Sequence, residues 1–507
     1  MATSHCLENP NQLANSETSL QLNDAVHRSL PDEAATDTCK SQWIVQFEDG
    51  DQSNPKHFKP IWKAFLTFQM SLLALTGSMG SSIMAPAQSK IASEMHIALE
   101  ATTLTVALFV LGWALGPMIW APISEFWGRR WGILPGVFIF GLFTIGSATS
   151  KSPASLFITR FFGGIFASAP ISNVPAALGD IYEPRSRGIA MAFVSLCIVG
   201  GPTVGPVIGA ALTVSSQLGW RWTGYIEAIF IFSVFALSCF TLPETYPPVL
   251  LKRKARLLRK STGDTRHWHP LEEERIDRST LHKYVSRPIR MFFTEPMLLF
   301  VAIYASFTYS LVYLTLEVFP IVFNEQRKYP LVVSMLPFFG ILVGVICALI
   351  INFMNQPRYA RAVKKNNGKA VPEARLPPMI IGGVSLSAGL FWFGWTADPK
   401  YTWALPTVAS AFIGAGFNIV FQQCLNFLVD TYGLYAASAV SANTMLRSLF
   451  AFGLPMAARP MFQNLGVGPA ASLLGGISCL ALPVPFALLR YGAILRKRSE
   501  FVPGTKA

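Results

Sequence analysis

Charged residues are scarce in this chain. Asp, Glu, Lys and Arg make up 14% of its 507 residues, where a soluble domain carries roughly 25%. Its seven cysteines (Cys6, Cys39, Cys197, Cys239, Cys347, Cys424 and Cys479) are scattered, with no pair at metal-ligand spacing. Neither a metal site nor a disulfide framework is expected. The Asn-x-Ser/Thr sequon is missing, so glycosylation gives no clue to orientation. There is no Gly-x4-Gly-Lys-Ser/Thr phosphate loop and no nucleophile elbow. Their absence argues against ATP-driven pumping, against an enzyme and against a bound cofactor. The first 60 residues are polar and lack the apolar segment of a signal peptide. They read as a disordered cytosolic tail, leaving the first apolar run to direct insertion.

What the chain has in abundance is apolar length. Half of it (51%) is hydrophobic, and its mean hydropathy is +0.41. Runs of about 20 apolar residues span a bilayer as helices, and they are too long and unbroken for barrel strands. Twelve such runs are predicted, at about 61–84, 101–123, 132–150, 154–178, 188–213, 221–242, 295–318, 332–354, 378–397, 402–426, 434–457 and 470–494. The expected fold class is an all-α membrane protein of twelve transmembrane helices. Five of the cysteines fall within these runs.

The charge is unevenly placed. Residues 1–60 hold nine acids against four bases, so with a total of +13 the remainder carries +18. Bases gather after the even-numbered spans: Arg129 and Arg130, Arg185 and Arg187, Lys252 to Lys260, and Arg358 to Lys369. This is the positive-inside pattern, so the basicity implies a lipid bilayer as partner and not nucleic acid. Both termini are then cytosolic. The longest connection, 243–294, divides the spans six and six, the sign of two related bundles, 61–242 and 295–494. A tail of 495–507 follows. Within the connection, Leu250-Leu251 and Leu257-Leu258 alternate with bases. The expectation is a basic amphipathic helix on the inner leaflet. Glu272-Glu273-Glu274 beside Arg275 reads as a solvated helix face.

Between the second and third spans, Gly116-Pro117 is followed by Pro122, Glu125, Gly128, Arg129 and Arg130. Pro122 and Gly128 suggest a tight turn, and Gly116 permits close helix approach. Glu125 can pair with Arg129, forming a latch that holds one conformation, or sit at a neighbouring helix N-terminus. In span 5, Gly201, Gly205 and Gly209 recur every four residues, with Pro202 and Pro206 on the adjoining row. The result is a smooth face for another helix. In span 4, Arg160 lies within the hydrocarbon, at a cost of about 2.5–3.5 kcal/mol on insertion scales. It needs a partner or a water-filled cavity, and backbone carbonyls would also serve.

These stretches resemble the major facilitator superfamily, in its twelve-span fungal drug:H+ antiporter branch. The likeness covers roughly residues 55–500. It extends to Trp220-Arg221-Trp222, to Leu242-Pro243-Glu244-Thr245-Tyr246 and to Asn426 through Arg447. The chain departs from the common superfamily turn at Ala121, Glu125 and Phe126. The resemblance implies that the turn is a conformational latch, that the span 5 glycines form the antiporter motif, and that Arg160 assists proton transfer. It also implies a central site among spans 1, 4, 7 and 10. The candidates there are Gln69, Asn173, Tyr309, Tyr313, Asn418, Phe421 and Gln422, a few polar groups in a mostly apolar, aromatic lining suited to a lipophilic molecule. Within the spans, Glu227 and Glu317 are the acids available for coupling, and Glu317 is preferred because span 7 should line the cavity. Asp180, Arg187 and Asp430 are assigned to a cytosolic charge network.

The function expected is proton-coupled efflux of drugs, mycotoxins or other secondary metabolites by alternating access. A monomer in the plasma membrane is expected, with the vacuolar membrane as the other location. The alternatives are an importer or facilitator of a small nutrient or polyamine, or a non-transporting sensor that signals through the tail.

Overall fold

The computed structural model describes residues 43–48, 50–183, 186–272, 278–366, 370–497 and 499–502. Residues 1–42, Arg185, Glu273 to Arg275 and Lys369 lie outside the described residues, with the expectations attached to them. The chain divides into two units, one pairing the N-terminal segment up to His57 with the stretch from Tyr246, the other holding the remaining helices.

The first unit departs from the expectation of a disordered tail up to residue 60. Trp43 and Val45 exchange backbone hydrogen bonds with Trp268 at 3.1 Å each. Pro55–His57 forms a turn of 3-10 helix. The basic stretch is helical over Pro247–Thr262 and ends at Gly263, whose φ of +71° suits a residue without Cβ. Asp51 accepts from Lys254 at 2.7 Å. The bond from Lys254 and a second from Ser53 hold the Asp51 carboxyl well below the usual carboxylate range, and the same bond raises Lys254. The acids of the segment thus seek the bases of the helix, a pairing that separate reading of the two stretches cannot reveal. Glu272 is likewise not merely solvated, because it takes Arg259 at 2.7 Å.

The second unit is the membrane domain. Its helices are α1 (Pro60–Gly80), α2 (Leu104–Trp127), α3 (Arg129–Ala148), α4 (Pro153–Ile181), α5 (Arg187–Val214), α6 (Arg221–Thr241), α7 (Pro296–Phe319), α8 (Pro337–Lys365), α9 (Leu376–Thr396), α10 (Ala404–Tyr432), α11 (Ala436–Leu465) and α12 (Val467–Lys497), the last interrupted at Leu482. A further helix, Arg278–Thr294, precedes α7. Ten of the helices among the described residues pass a length-and-apolarity test for a span. The others, α1 and α11, carry more polar side chains but pack in the same bundles. In the first half α1 packs on α5, and α2 and α3 on α4. In the second α7 packs on α11, and α9 on α10 and α12. The halves meet where α2 faces α11 and where α5 faces α8.

Several boundaries differ from expectation. Pro122 does not end its span, because α2 runs on to Trp127 and the reversal falls at Gly128, φ +101°. A proline deprives the helix of one hydrogen bond without stopping it when neighbours support the backbone. Helix α8 continues to Lys365, so Arg358 and Arg361 are helical, not in a loop. Helix α4 begins as its sequence dictates. Ser152 accepts from the Ser155 N–H, and Pro153 opens the helix where no donor is missed.

Candidate functional site

The Gly128 turn is a junction of three helix ends. Gly128 sits where a Cβ would overlap the Glu244 carboxylate. That carboxylate accepts from the Arg129 backbone N–H at 2.8 Å and from that of Arg130 at 3.3 Å, so an acid faces the positive end of α3. The Arg129 guanidinium donates to Asp180 at the end of α4 (2.7 Å) and to Ser124 (2.9 Å). Arg130 donates to the Cys239 carbonyl at 2.6 Å. The sequence offers Glu125 as a partner of Arg129 or as an acid at a neighbouring helix N-terminus; the structure also brings Asp180 to the Arg129 side chain and Glu244 to its backbone. The spacing of Glu125 was the visible signal, but Glu244 is brought in by the return of α6. At the upstream end of the motif, Gly116 lies so close to Ser168 of α4 that a Cβ would overlap it. Pro117 is half-buried inside α2.

The second half repeats the device. Arg375, before α9, donates to Asp430 near the end of α10 at 2.9 Å. Tyr359 of α8 donates to the same carboxylate at 2.8 Å, and the Arg375 guanidinium lies 3.5 Å from the Tyr359 ring centre. Both ion pairs are largely buried. Arg187, exposed at the start of α5, brings its guanidinium to within 3.6 Å of where a Cβ on Gly179 would lie, next to Asp180.

The glycine face of α5 is seated on the end of α1. A Cβ at Gly201 or Gly205 would press on Ser78 and Ser82, and one at Gly209 would overlap the Ile83 carbonyl. Ser78 donates to the Ile198 carbonyl. Pro202 and Pro206 are buried within the helix.

Arg160, Glu227 and Glu317 are enclosed among the spans. Arg160 donates to the carbonyls of Thr105 (2.7 Å) and Gly80 (2.6 Å) and lies over the Phe109 ring. Glu227 is fully buried, and neither of its oxygens has a hydrogen-bond partner among the described residues. Its carboxylate rests against Gly80, where a Cβ would overlap it. It therefore sits inside the first half beside the carbonyl that Arg160 holds, not at the outer surface. Glu317, on α7, accepts from Gln88 of the first half at 2.5 Å. Nearby, Arg459 of α11 donates to Glu325 at 2.8 Å.

Midway along the bundle the walls are aromatic. Tyr309 and Tyr313 lie one turn apart on α7, their hydroxyls 3.4 Å apart, and Tyr313 also bonds Ser81 of α1 at 3.0 Å. Phe417 and Phe421 of α10 flank Tyr309, and Trp113 of α2 meets Tyr313 edge-on. Asn418 is buried beside them in sequence, with both amide atoms unpartnered. Two other cavity candidates are engaged elsewhere. Gln69 donates to Ser238 of α6 at 2.9 Å, and Asn173 to the Gly132 carbonyl at 3.0 Å. Both tie helices of the first half together, because a polar side chain enclosed in a bundle takes the nearest partner. Gln422 donates to Ser195 of α5 at 2.7 Å and accepts from Asn352 of α8 at 2.8 Å, bridging the halves.

Comparison with known proteins agrees with this architecture. The family described as Major Facilitator Superfamily matches residues 70–455. The chain is 37% identical to the "Major facilitator superfamily multidrug transporter FLU1" of Candida albicans, over 91% of this chain and 76% of that protein. It is 39% identical to "Efflux pump bik6" of Gibberella fujikuroi, over 90% and 95%. It is 40% identical to "Citrinin biosynthesis cluster MFS transporter mrr1" of Monascus ruber, over 91% and 93%. Among solved structures, a D-xylose-proton symporter superposes with a TM-score of 0.60 at 16% identity, covering 88% of this chain and 99% of that one, which supports the fold alone. Two six-helix bundles joined at α2–α11 and α5–α8, with the family match across three-quarters of the chain, make this protein a multi-pass membrane transporter belonging to the major facilitator superfamily.

Proposed function

We propose that the protein is a proton-coupled antiporter that exports lipophilic small molecules by alternating access of its two halves. The observation that carries this reading is the position of Glu317. Its carboxylate belongs to the second half and is bonded by Gln88 of the first. A proton arriving there removes the negative acceptor and weakens a charge-assisted bond across the seam. Protonation thereby biases an opening equilibrium, the requirement for coupling. Glu227 and Arg160 supply a second buried acid and base within the first half. The α5 glycine face and the names of the relatives support export over import. The aromatic centre suits a lipophilic substrate. The basic end carrying Arg129 and Arg375 faces the cytosol by the positive-inside rule, which puts both termini there. A monomer in the plasma membrane completes the reading.

The test uses inverted vesicles containing the full-length protein. An imposed proton gradient should drive accumulation of a lipophilic dye, and a protonophore should abolish it. Glu317→Gln should lose gradient-driven accumulation while keeping exchange of dye for dye. Accumulation indifferent to the protonophore would rule out proton coupling. Gradient-driven accumulation unchanged in Glu317→Gln would remove that residue from the mechanism.

A further inference from the structure

We propose that Arg447 is an anion receptor in the central site, and that the compounds transported are aromatic acids bearing a carboxylate or phenolate. The proposal rests on the export reading for the position of the site and adds to it the chemical class of the substrate.

Arg447 lies near the middle of α11 and is 7% exposed. Its guanidinium stands 4.4 Å from the ring centre of Tyr309 and 5.0 Å from that of Phe421. Its Nε has no hydrogen-bond partner, and no acid pairs with it among the described residues. The other enclosed arginines have an acceptor: Arg160 has two carbonyls, and Arg459, whose Nε is also unpartnered, has Glu325. The acid nearest along α7, Glu317, is one turn beyond Tyr313 and is taken by Gln88. An unpaired buried cation is destabilising because its lost hydration is not replaced. Contact with two aromatic faces offsets only part of that cost, which leaves the charge under-compensated.

The surroundings are those of a ligand site and not of a structural pair. Asn443, one turn before Arg447 on α11, is fully buried with both amide atoms unpartnered. The Trp113 indole N–H is buried and unpartnered as well. The donors outnumber the acceptors, and the walls between them are the rings of Tyr309, Tyr313, Phe417 and Phe421. An aromatic acid satisfies both features. Its oxygens match the planar fork of the guanidinium, and its ring replaces ring-on-ring contacts along α7 and α10. An aromatic ammonium would bring a second cation beside a fixed one.

The experiment is equilibrium dialysis of the purified full-length protein against three probes of one size: 2-naphthoate, 2-naphthamide and 2-naphthylmethylammonium. Naphthoate should bind roughly tenfold tighter than the amide, the size of one charge-assisted hydrogen bond, and the ammonium should bind weakest. Arg447→Met should erase the preference for the acid while still binding the amide, and Arg447→Lys should keep part of it. If Arg447→Met does not fold, the order of the three probes on the unaltered protein decides the matter. Equal affinities, an ammonium bound tightest, or no binding of any probe overturns the proposal. Gradient-driven export of the amide is measured alongside. Export without acid preference sinks the anion receptor and leaves the export reading standing. Acid preference without export does the reverse.

Discussion

Arg129 donates to Asp180 at 2.7 Å, joining the first residue of α3 to the last turn of α4. Arg375 and Asp430 repeat the bond between α9 and α10 at 2.9 Å. Each half therefore carries its own clasp at the basic end. Asp180→Asn keeps the shape and removes the charge. It should weaken closure at that end by about 1–3 kcal/mol. The readout is thiol labelling of Ser195→Cys, whose native hydroxyl accepts from Gln422, in a background without other cysteines. Labelling should rise by roughly tenfold. Labelling that stays level would mean that the clasp does not influence closure.

The seat of α5 on α1 gives a matched comparison. Gly209→Ala forces a methyl into the Ile83 carbonyl, whereas Gly200→Ala meets nothing within 4 Å. The first should cost about 1–3 kcal/mol by overpacking. Thermal stability of the detergent-solubilised protein, followed by size-exclusion chromatography, separates the two. If both substitutions lower it equally, close approach at Gly209 is not what constrains α5.

Gly80 and Glu227 are linked in a way that a double mutant can expose. Gly80→Ala overlaps the carboxylate and also nears Phe140. It should lower stability by about 1–3 kcal/mol. Adding Glu227→Ala should restore part of that loss, since residues in contact are non-additive by about 0.5–3 kcal/mol. Strict additivity of the two losses would contradict the contact.

The bond between Asp51 and Lys254 sets a pH window for the first unit. The Asp51 carboxyl is lowered from its ordinary 3.8. Its contribution is complete above that value and is lost as the pH falls through the depressed one. Lys254 is raised from 10.5, so its share is complete below 10.5 and is lost above the raised value. Protection of residues 43–57 from proteolysis should thus be level across neutral pH, and Asp51→Asn should reduce it there. Equal cleavage of the two proteins at neutral pH would show that this bond does not hold the segment.

Much of this was legible in the sequence because it is local. Twenty-residue apolar runs dictate spans whatever their neighbours do, and Gly201, Gly205 and Gly209 share a face by helical arithmetic alone. Partners distant along the chain were not legible. Nothing near Arg129 announces Glu244, and nothing near Glu227 announces Gly80, because both contacts depend on how α6 returns against α1 and α3. Gln69 and Asn173 show the same limit. The sequence places them on helices expected to line a cavity, but rotation about the helix axis decides what they meet. Arg447 was visible as a residue of the resemblance, yet its lack of an acid partner becomes evident only once α7 and α10 surround it.

The seating of Gly209 on the Ile83 carbonyl has one more consequence. With backbone against backbone at Gly209 and only small serines at Gly201 and Gly205, α1 and α5 have little between them to absorb a slide. They must turn together as one lever. If the halves alternate as proposed, the play has to come from the seams at α2–α11 and α5–α8, where long side chains such as Gln422 can exchange partners. Substitutions that tune the rate of the cycle without unseating the protein should therefore concentrate on those seams and be rare along the glycine row.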